Sequence, residues 1–369
     1  LDAARAINAR QDLATIKIGA HDEIFQNNRP VLVGADARST YCYLLAAEDH
    51  RDADTWGVYL LDLADQGLRP EATIADGGTG LRAAQKLVWP DIPCRGDVFH
   101  ALRDVGRLAI YLENRALGAI GERDKLERTM GRAKQSGRGN TYSKKLAIAR
   151  QKEARKLGLA DDVDILATWL RQDVLVLAGP DHATRRELFD FIVEELRARE
   201  DLCPHRINPV RRMLENQRDD LLAFAEVLDE KIAALATDFQ VAPVRVGKIL
   251  ALHATDPERT ERWQGEAELR GHLGPRFHGL FEATAGLARD TVRASSVVEN
   301  VNSRLRPYFF LRREIGPAYL DLLRFFLNHR TFLRSERPER VGRSPAEILT
   351  GEPHPHWLSL LGFERFRRN

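Results

Sequence analysis

The chain has 369 residues, 43% of them hydrophobic, and its 56 basic and 54 acidic side chains leave a net charge of +2. That is enough chain for two or more domains with a sizeable core, and the near-balance of charge means that distribution, not the sum, must speak for or against a nucleic-acid partner. No run reaches the roughly 18 uncharged apolar residues of a membrane helix, the first residues lack the apolar stretch of a signal peptide, and three scattered cysteines make neither a disulfide framework nor a zinc site, so a cytosolic protein with free thiols is expected.

In chain order, residues 1–15 read as an N-terminal helical segment. Ile16 to Phe25 is a first strand, Gln26 to Pro30 a turn, Val31 to Asp36 a second strand, Ala37 to Thr40 a turn, and Tyr41 to Ala47 a third strand. Three strands joined by tight turns predict an antiparallel meander. From Asp54, Trp56, Leu60, Leu61, Leu63 and Ala64 recur at helical spacing up to Gly67. Glu71 to Ala75 is a fourth strand that ends in Asp76-Gly77-Gly78-Thr79-Gly80; Leu81 to Leu87 is helical, and Ile92-Pro93-Cys94 is a short fifth strand. The order β-β-β-α-β-α-β is that of an RNase H-like core. Beyond His100 the strand signal fades, and segments such as those from Arg185 and Arg218 carry apolar residues at helical spacings. Ser295 to Leu305 and Tyr319 to Phe332 are helical again, Arg334 to Arg343 is polar, and Ser344-Pro345 caps a short helix that Gly351 stops. The expected fold class is α/β: an RNase H-like mixed sheet with a large all-α insertion domain. Its parts are the core at 16–105, the insertion at 106–290, the final core helices at 291–335 and a tail at 336–369.

Charge concentrates between Glu122 and Lys156, with twelve Lys or Arg against four acids. This segment, with Lys144 and Lys145, is a candidate phosphate-contacting surface; a solvated helix face reads equally well. Arg304, Arg306, Arg312 and Arg313, beside Tyr308, Phe309 and Phe310, form a second stretch able to track a DNA backbone. Trp263 reads as a packed core residue more readily than as a platform for an unpaired base.

Phosphodiester transfer with two metals needs hard oxygen ligands that converge from separate elements. Asp22 sits in an apolar first strand, where an ionised side chain is costly without a partner. Asp36, at the end of the second strand, competes with it; Asp22 is preferred because it lies on the first strand. Asp76 ends the fourth strand, ahead of glycines that allow a backbone to approach a ligand. Glu299, Asn302 and Arg306 fall on one face of a helix at i, i+3 and i+7.

At these residues the sequence resembles bacterial insertion-sequence transposases of the DDE class, distantly similar to the Mutator and hAT groups. The resemblance rests on His21-Asp22-Glu23-Ile24, Arg29 to Val33, Ala75 to Leu81, Val298-Glu299-Asn300, Asn302 to Arg306, and Gly342 to Gly351. It implies Asp22, Asp76 and Glu299 as catalytic and metal-binding carboxylates for two magnesium ions, with manganese able to substitute. It also implies transposon-end and target DNA as partners, a homo-oligomer in the DNA complex, and a place on the bacterial nucleoid when DNA is bound. Asp97-Val98-Phe99-His100 matches an Asp/Cys-x-x-His element of these enzymes, which gives Asp97 and His100, with Asn302, supporting roles near the site; a Cys94-to-His100 pairing is the alternative. The 222 residues between Asp76 and Glu299 fit a helical insertion domain. In one departure from the family, no zinc finger or helix-turn-helix precedes Asp22. The rival readings are a domesticated DNA-binding protein and an RNase H-like nuclease that does not join strands.

Overall fold

Alternation along β1 (Ile18–Gln26) organises the first part of the structure. Ala20 and Ile24 pack with Val298, Val301 and Leu305, whereas His21 meets Tyr43, Trp56 and Trp89 on the opposite face, as the two-residue period of a strand requires. The computed structural model describes residues 1–75, 78–135, 140–293, 296–311, 315–335 and 337–364, without the side chains of Asn140, Thr141, Ser296, Val297 and Glu299. Two compact units result: Leu1–Phe99 with Asp290–Asn369, and His100–Arg289. The segments 1–15 and 336–369 fall in the first unit.

That unit is mixed α/β. After α1 (Asp2–Arg10), β1 pairs antiparallel with β2 (Arg29–Asp36), and β2 with β3 (Cys42–Ala47). The β1–β2 turn has both Asn27 and Asn28 at positive φ, 48° and 67°, the conformation that tight two-residue hairpins demand and that asparagine tolerates. α2 (Ala53–Asp65) begins under Asp52, whose carboxylate accepts from the Thr55 N–H. β4 (Ala72–Ala75), α3 (Thr79–Val88) and β5 (Cys94–Gly96) follow, and the sheet order is β3-β2-β1-β4-β5, with β4 parallel to β1 and β5 parallel to β4. β5 starts two residues later than expected. Pro93 lends its carbonyl to Thr73 N–H but has no N–H of its own, so regular pairing waits for Cys94.

The second unit holds α4 (Val98–Gln135, from His100 on), α5 (Asn140–Trp169), α6 (His182–Ala198), α7 (Pro204–Asp238), α8 (Pro243–Ala254), α9 (Thr260–Leu273) and α10 (Arg276–Asp290, to Arg289). α5 runs into a π-helical turn, Leu170–Val174. Beside that turn the Arg185 side chain of α6 is 1% exposed. Its guanidinium donates to the carbonyls of Val174 (2.6 Å), Val176 (2.5 Å), Leu177 (3.1 Å) and Pro180 (2.6 Å) and stands 5.3 Å from the Phe224 ring centroid. The chain returns to the first unit with α11 (Ser296–Phe310), α12 (Pro317–His329), α13 (Pro345–Thr350) and α14 (Trp357–Leu360). Ser344 and Glu347 form a capping box and Gly351 closes α13 at φ 79°, as the local sequence predicts.

α2 and α3 cover one face of the sheet through Trp56, Leu60, Leu81 and Ala84; α11 and α12 cover the other through Val301, Leu305, Leu320 and Leu323. α12 also completes the β3 edge. Asn328 Oδ1 accepts from Cys42 N–H at 2.7 Å, its Nδ2 donates to Cys42 carbonyl at 2.8 Å, and Arg324 donates to Tyr43 carbonyl at 2.9 Å. Asn328→Ala strands two buried backbone groups and is expected to lower stability by about 2–4 kcal/mol, read as a lower urea midpoint at unchanged slope.

Two histidines tie stability to pH. Burial pushes the His21 imidazole down to about 3 and that of His329 down to about 4. Both are neutral in the fold, and both take up a proton near about 6.5 once unfolded. The unfolded chain therefore binds more protons below that value, and stability falls with pH by about 1.4 kcal/mol per unit for each histidine until its folded-state value is reached. Urea midpoints across this range check the sign: a flat profile below neutral pH contradicts it, and His21→Gln is expected to make the profile shallower.

Candidate active site

Asp22 lies in the middle of β1 between Ala20 and Ile24, on the face that α11 covers. Its side chain is 7% exposed. Oδ1 accepts the Glu23 N–H at 2.8 Å, and Oδ2 accepts from Asn302 Nδ2 at 2.7 Å. Asn302, 2% exposed, is thus fixed with its nitrogen toward the carboxylate, which leaves its Oδ1 buried without a hydrogen-bond partner. An amide cannot be turned round there without setting oxygen against oxygen.

The neighbouring strand arrives in step. β1 and β4 pair from Ile18↔Ala72 to His21↔Ala75, so the next residues along the two strands are Asp22 and Asp76. Asp76 lies outside the described residues. Glu299 sits one helical turn before Asn302 on α11; its side chain also lies outside what is described, as do Arg312 and Arg313.

Asp36, the rival first carboxylate, is committed to a turn. Its Oδ2 accepts from the Ser39 N–H at 2.7 Å and from Ser39 Oγ at 2.5 Å. Asp97, 1% exposed, accepts the Phe99 N–H at 2.8 Å in the first turn of α4, a helix-capping role. His100 lies one residue further along that turn, half-buried. Gly80, one of the glycines that follow Asp76, packs against a neighbouring backbone: a Cβ there would collide with the Arg51 carbonyl.

On the opposite face, Glu23 is held by Arg51 Nη1 at 2.7 Å and by Trp56 Nε1 at 3.0 Å. It lines an open cleft of about 570 Å³ with His50, Arg51, Asp52, Gly78 and Thr79. Sequence reasoning passed over Glu23, and its position next to Asp22 was the one available signal.

The basic candidates separate. Arg304 is half-buried beside Phe332, its guanidinium 5.5 Å from the ring centroid. Arg306 is exposed, and so is Phe310, while Phe309 is buried in the core. In the helical unit, Lys144 and Lys145 are exposed on α5. The charge run around them is partly neutralised between helices: Arg123 pairs with Glu153 (3.1 Å), Arg150 with Glu127 (2.8 Å) and Lys152 with Glu122 (2.6 Å). Trp263 is no core residue; it stands 66% exposed on α9, a helix with few apolar neighbours at matching spacing. Four further arginines, at 330, 334, 337 and 340, line a cleft with Arg304; the sequence placed Arg330 in a helix and marked the stretch of the other three only as polar.

Comparison with family models, with curated proteins and with solved structures found no match to the chain. Function must therefore be argued from the site itself. Cys42, Cys94 and Cys203 are free thiols, and among the described residues no helix is long and apolar enough to cross a membrane. Also among the described residues, no group of three His, Cys, Asp or Glu side chains converges on a metal position; two of the three expected ligands lie outside them. What is described offers the Asp22 carboxylate and the orphaned Asn302 Oδ1, both oxygen donors of the kind a hard divalent cation takes.

Proposed function

We propose that the first unit is an RNase H-like core and that the protein is a DDE-class transposase, transferring DNA strands from Asp22, Asp76 and Glu299. The observation that carries this reading is the 2.7 Å bond from Asn302 to Asp22. It joins a strand and a helix 280 residues apart in sequence and fixes α11, the helix that carries Glu299, against β1 at Asp22. The strand order β3-β2-β1-β4-β5 supports it, because it puts the end of β4 beside Asp22, where an RNase H-like sheet keeps its second acid.

Asp22 would serve as a ligand, with Asn302 holding its carboxylate in one orientation; Asp76 and Glu299 would complete the set. Two magnesium ions bound there would activate a water or 3′-hydroxyl and stabilise the leaving 3′ oxygen. The chain's own contribution would be to bring three carboxylates from three elements to one place before DNA arrives, so that little reorganisation remained for the reaction. Asp97 and His100 stand as supporting residues, transposon-end and target DNA as substrates, and a homo-oligomer as the form that brings two ends together.

The test is joining of a pre-cleaved 3′-OH end to target DNA with Mg²⁺, with Mn²⁺ and with EDTA, in wild type, Asp76→Asn and Glu299→Gln. Joining that requires the metal and both acids supports the proposal. Cleavage without joining turns it toward a nuclease, and DNA binding with no chemistry turns it toward a binding protein.

A further inference from the structure

A cleft of about 1090 Å³ opens in the first unit between α11 and the chain that follows α12. Arg304, Arg330, Arg334, Arg337 and Arg340 line it with Phe332, and among the described residues no acid lines it. Like charges gathered at close quarters repel one another, and a fold that keeps five arginines along one opening favours an anion there.

Two of the five are fixed in a way that favours this. Arg304 donates to the Leu327 carbonyl at 3.3 Å and lies against the Phe332 ring; Arg340 donates to the Arg38 carbonyl. Both are anchored by neutral oxygens, so their charge is not cancelled. Burial, and after it the charge of Arg330, lowers the Arg304 pKa; burial, and after it Arg337, lowers that of Arg340, with Glu339 and Asp36 acting the other way. Arg330, Arg334 and Arg337 are exposed and reach solvent.

We propose that this arginine cleft binds the phosphodiester backbone of a DNA strand. The planar guanidinium takes phosphate oxygens two at a time, which a lysine-lined surface does not do. Five arginines spread over one open cleft suit a run of phosphates better than a single small anion. Asn300 lines the same cleft, one residue after Glu299, so a strand held here leads toward the proposed catalytic helix. That last placement rests on the strand-transfer reading; the binding itself does not.

The experiment is fluorescence anisotropy with a labelled DNA duplex and a labelled single strand, in EDTA, across a salt series. Arg334→Gln/Arg337→Gln, both exposed, is expected to weaken binding and to reduce the slope of log affinity against log salt by about 0.9 for each duplex phosphate no longer neutralised. The matched charge change at Arg10 and Lys17 is expected to leave the slope alone. An unchanged slope in the arginine variant overturns the proposal, and so does an equal change in the matched control. Retained DNA binding with lost binding to phosphatidylserine vesicles also overturns it, in favour of a membrane surface. Working in EDTA separates this from the catalytic reading, because binding is then measured with no metal and no strand joining: wild type that binds through the arginines but never joins strands overturns the catalytic reading alone.

Discussion

Asp22→Asn is expected to lower strand transfer by roughly a thousandfold or more, the scale of several kcal/mol of transition-state stabilisation, without lowering the stability of the fold. The substitution is nearly isosteric. The carboxylate now accepts from Glu23 N–H through Oδ1 and from Asn302 through Oδ2. An asparagine keeps its oxygen on the Glu23 N–H and turns its nitrogen toward Asn302, whose amide reverses and accepts with the Oδ1 that has no partner today. Removing a buried charge also removes its desolvation cost. Activity and stability should therefore part company, as they do where a site is kept at the expense of the fold. Asp36→Asn provides the contrast, since the charge it removes serves the Ser39 turn; joining should persist. Full activity in Asp22→Asn, measured as joined product per time, would mean that the first ligand lies elsewhere.

The second large effect belongs to the helical unit. Arg185→Met fills about the same space but leaves the carbonyls of Val174, Val176, Leu177 and Pro180 without their buried donor. A loss of about 3–5 kcal/mol is expected, the range for breaking a buried polar network. Arg185→Lys should lose less, since an ammonium reaches some of the same oxygens but not all four. Urea unfolding followed by helical circular dichroism gives the total. Hydrogen exchange across 170–185 gives the location, and protection unchanged there in the methionine variant would mean that the π-helical turn does not depend on the guanidinium.

Much of this fold is written locally. Asn27-Asn28 announces a hairpin, and Ser344, Glu347 and Gly351 mark both ends of α13, because turns and caps are decided by residues a few positions apart. The site is less local. Asp22 and Asp36 look alike in sequence, each an acid in an apolar strand; Asn302, 280 residues downstream, and Ser39, three residues away, give them different work. The charge run of α4 and α5 reads as free cations until the two helices bring Glu122, Glu127 and Glu153 against it. The arginine cleft reverses that lesson. Its members come from α11 and the chain after α12, and among the described residues no acid lines the cleft with them. Trp263 carries a local mark of its exposure, the scarcity of apolar residues at helical spacing around it in α9.

The Asn328–Cys42 pair reaches beyond the stability of one molecule. β3 is an outer strand of the sheet, and an outer strand offers unpaired amides and carbonyls to any extended segment that drifts past. At Cys42 the donor and the acceptor are both taken by one side chain, and the next carbonyl, at Tyr43, is taken by Arg324. A strand from a second chain meets a closed edge at the point where pairing would begin. The helix that packs against this sheet therefore also shields the start of its outer strand from such pairing.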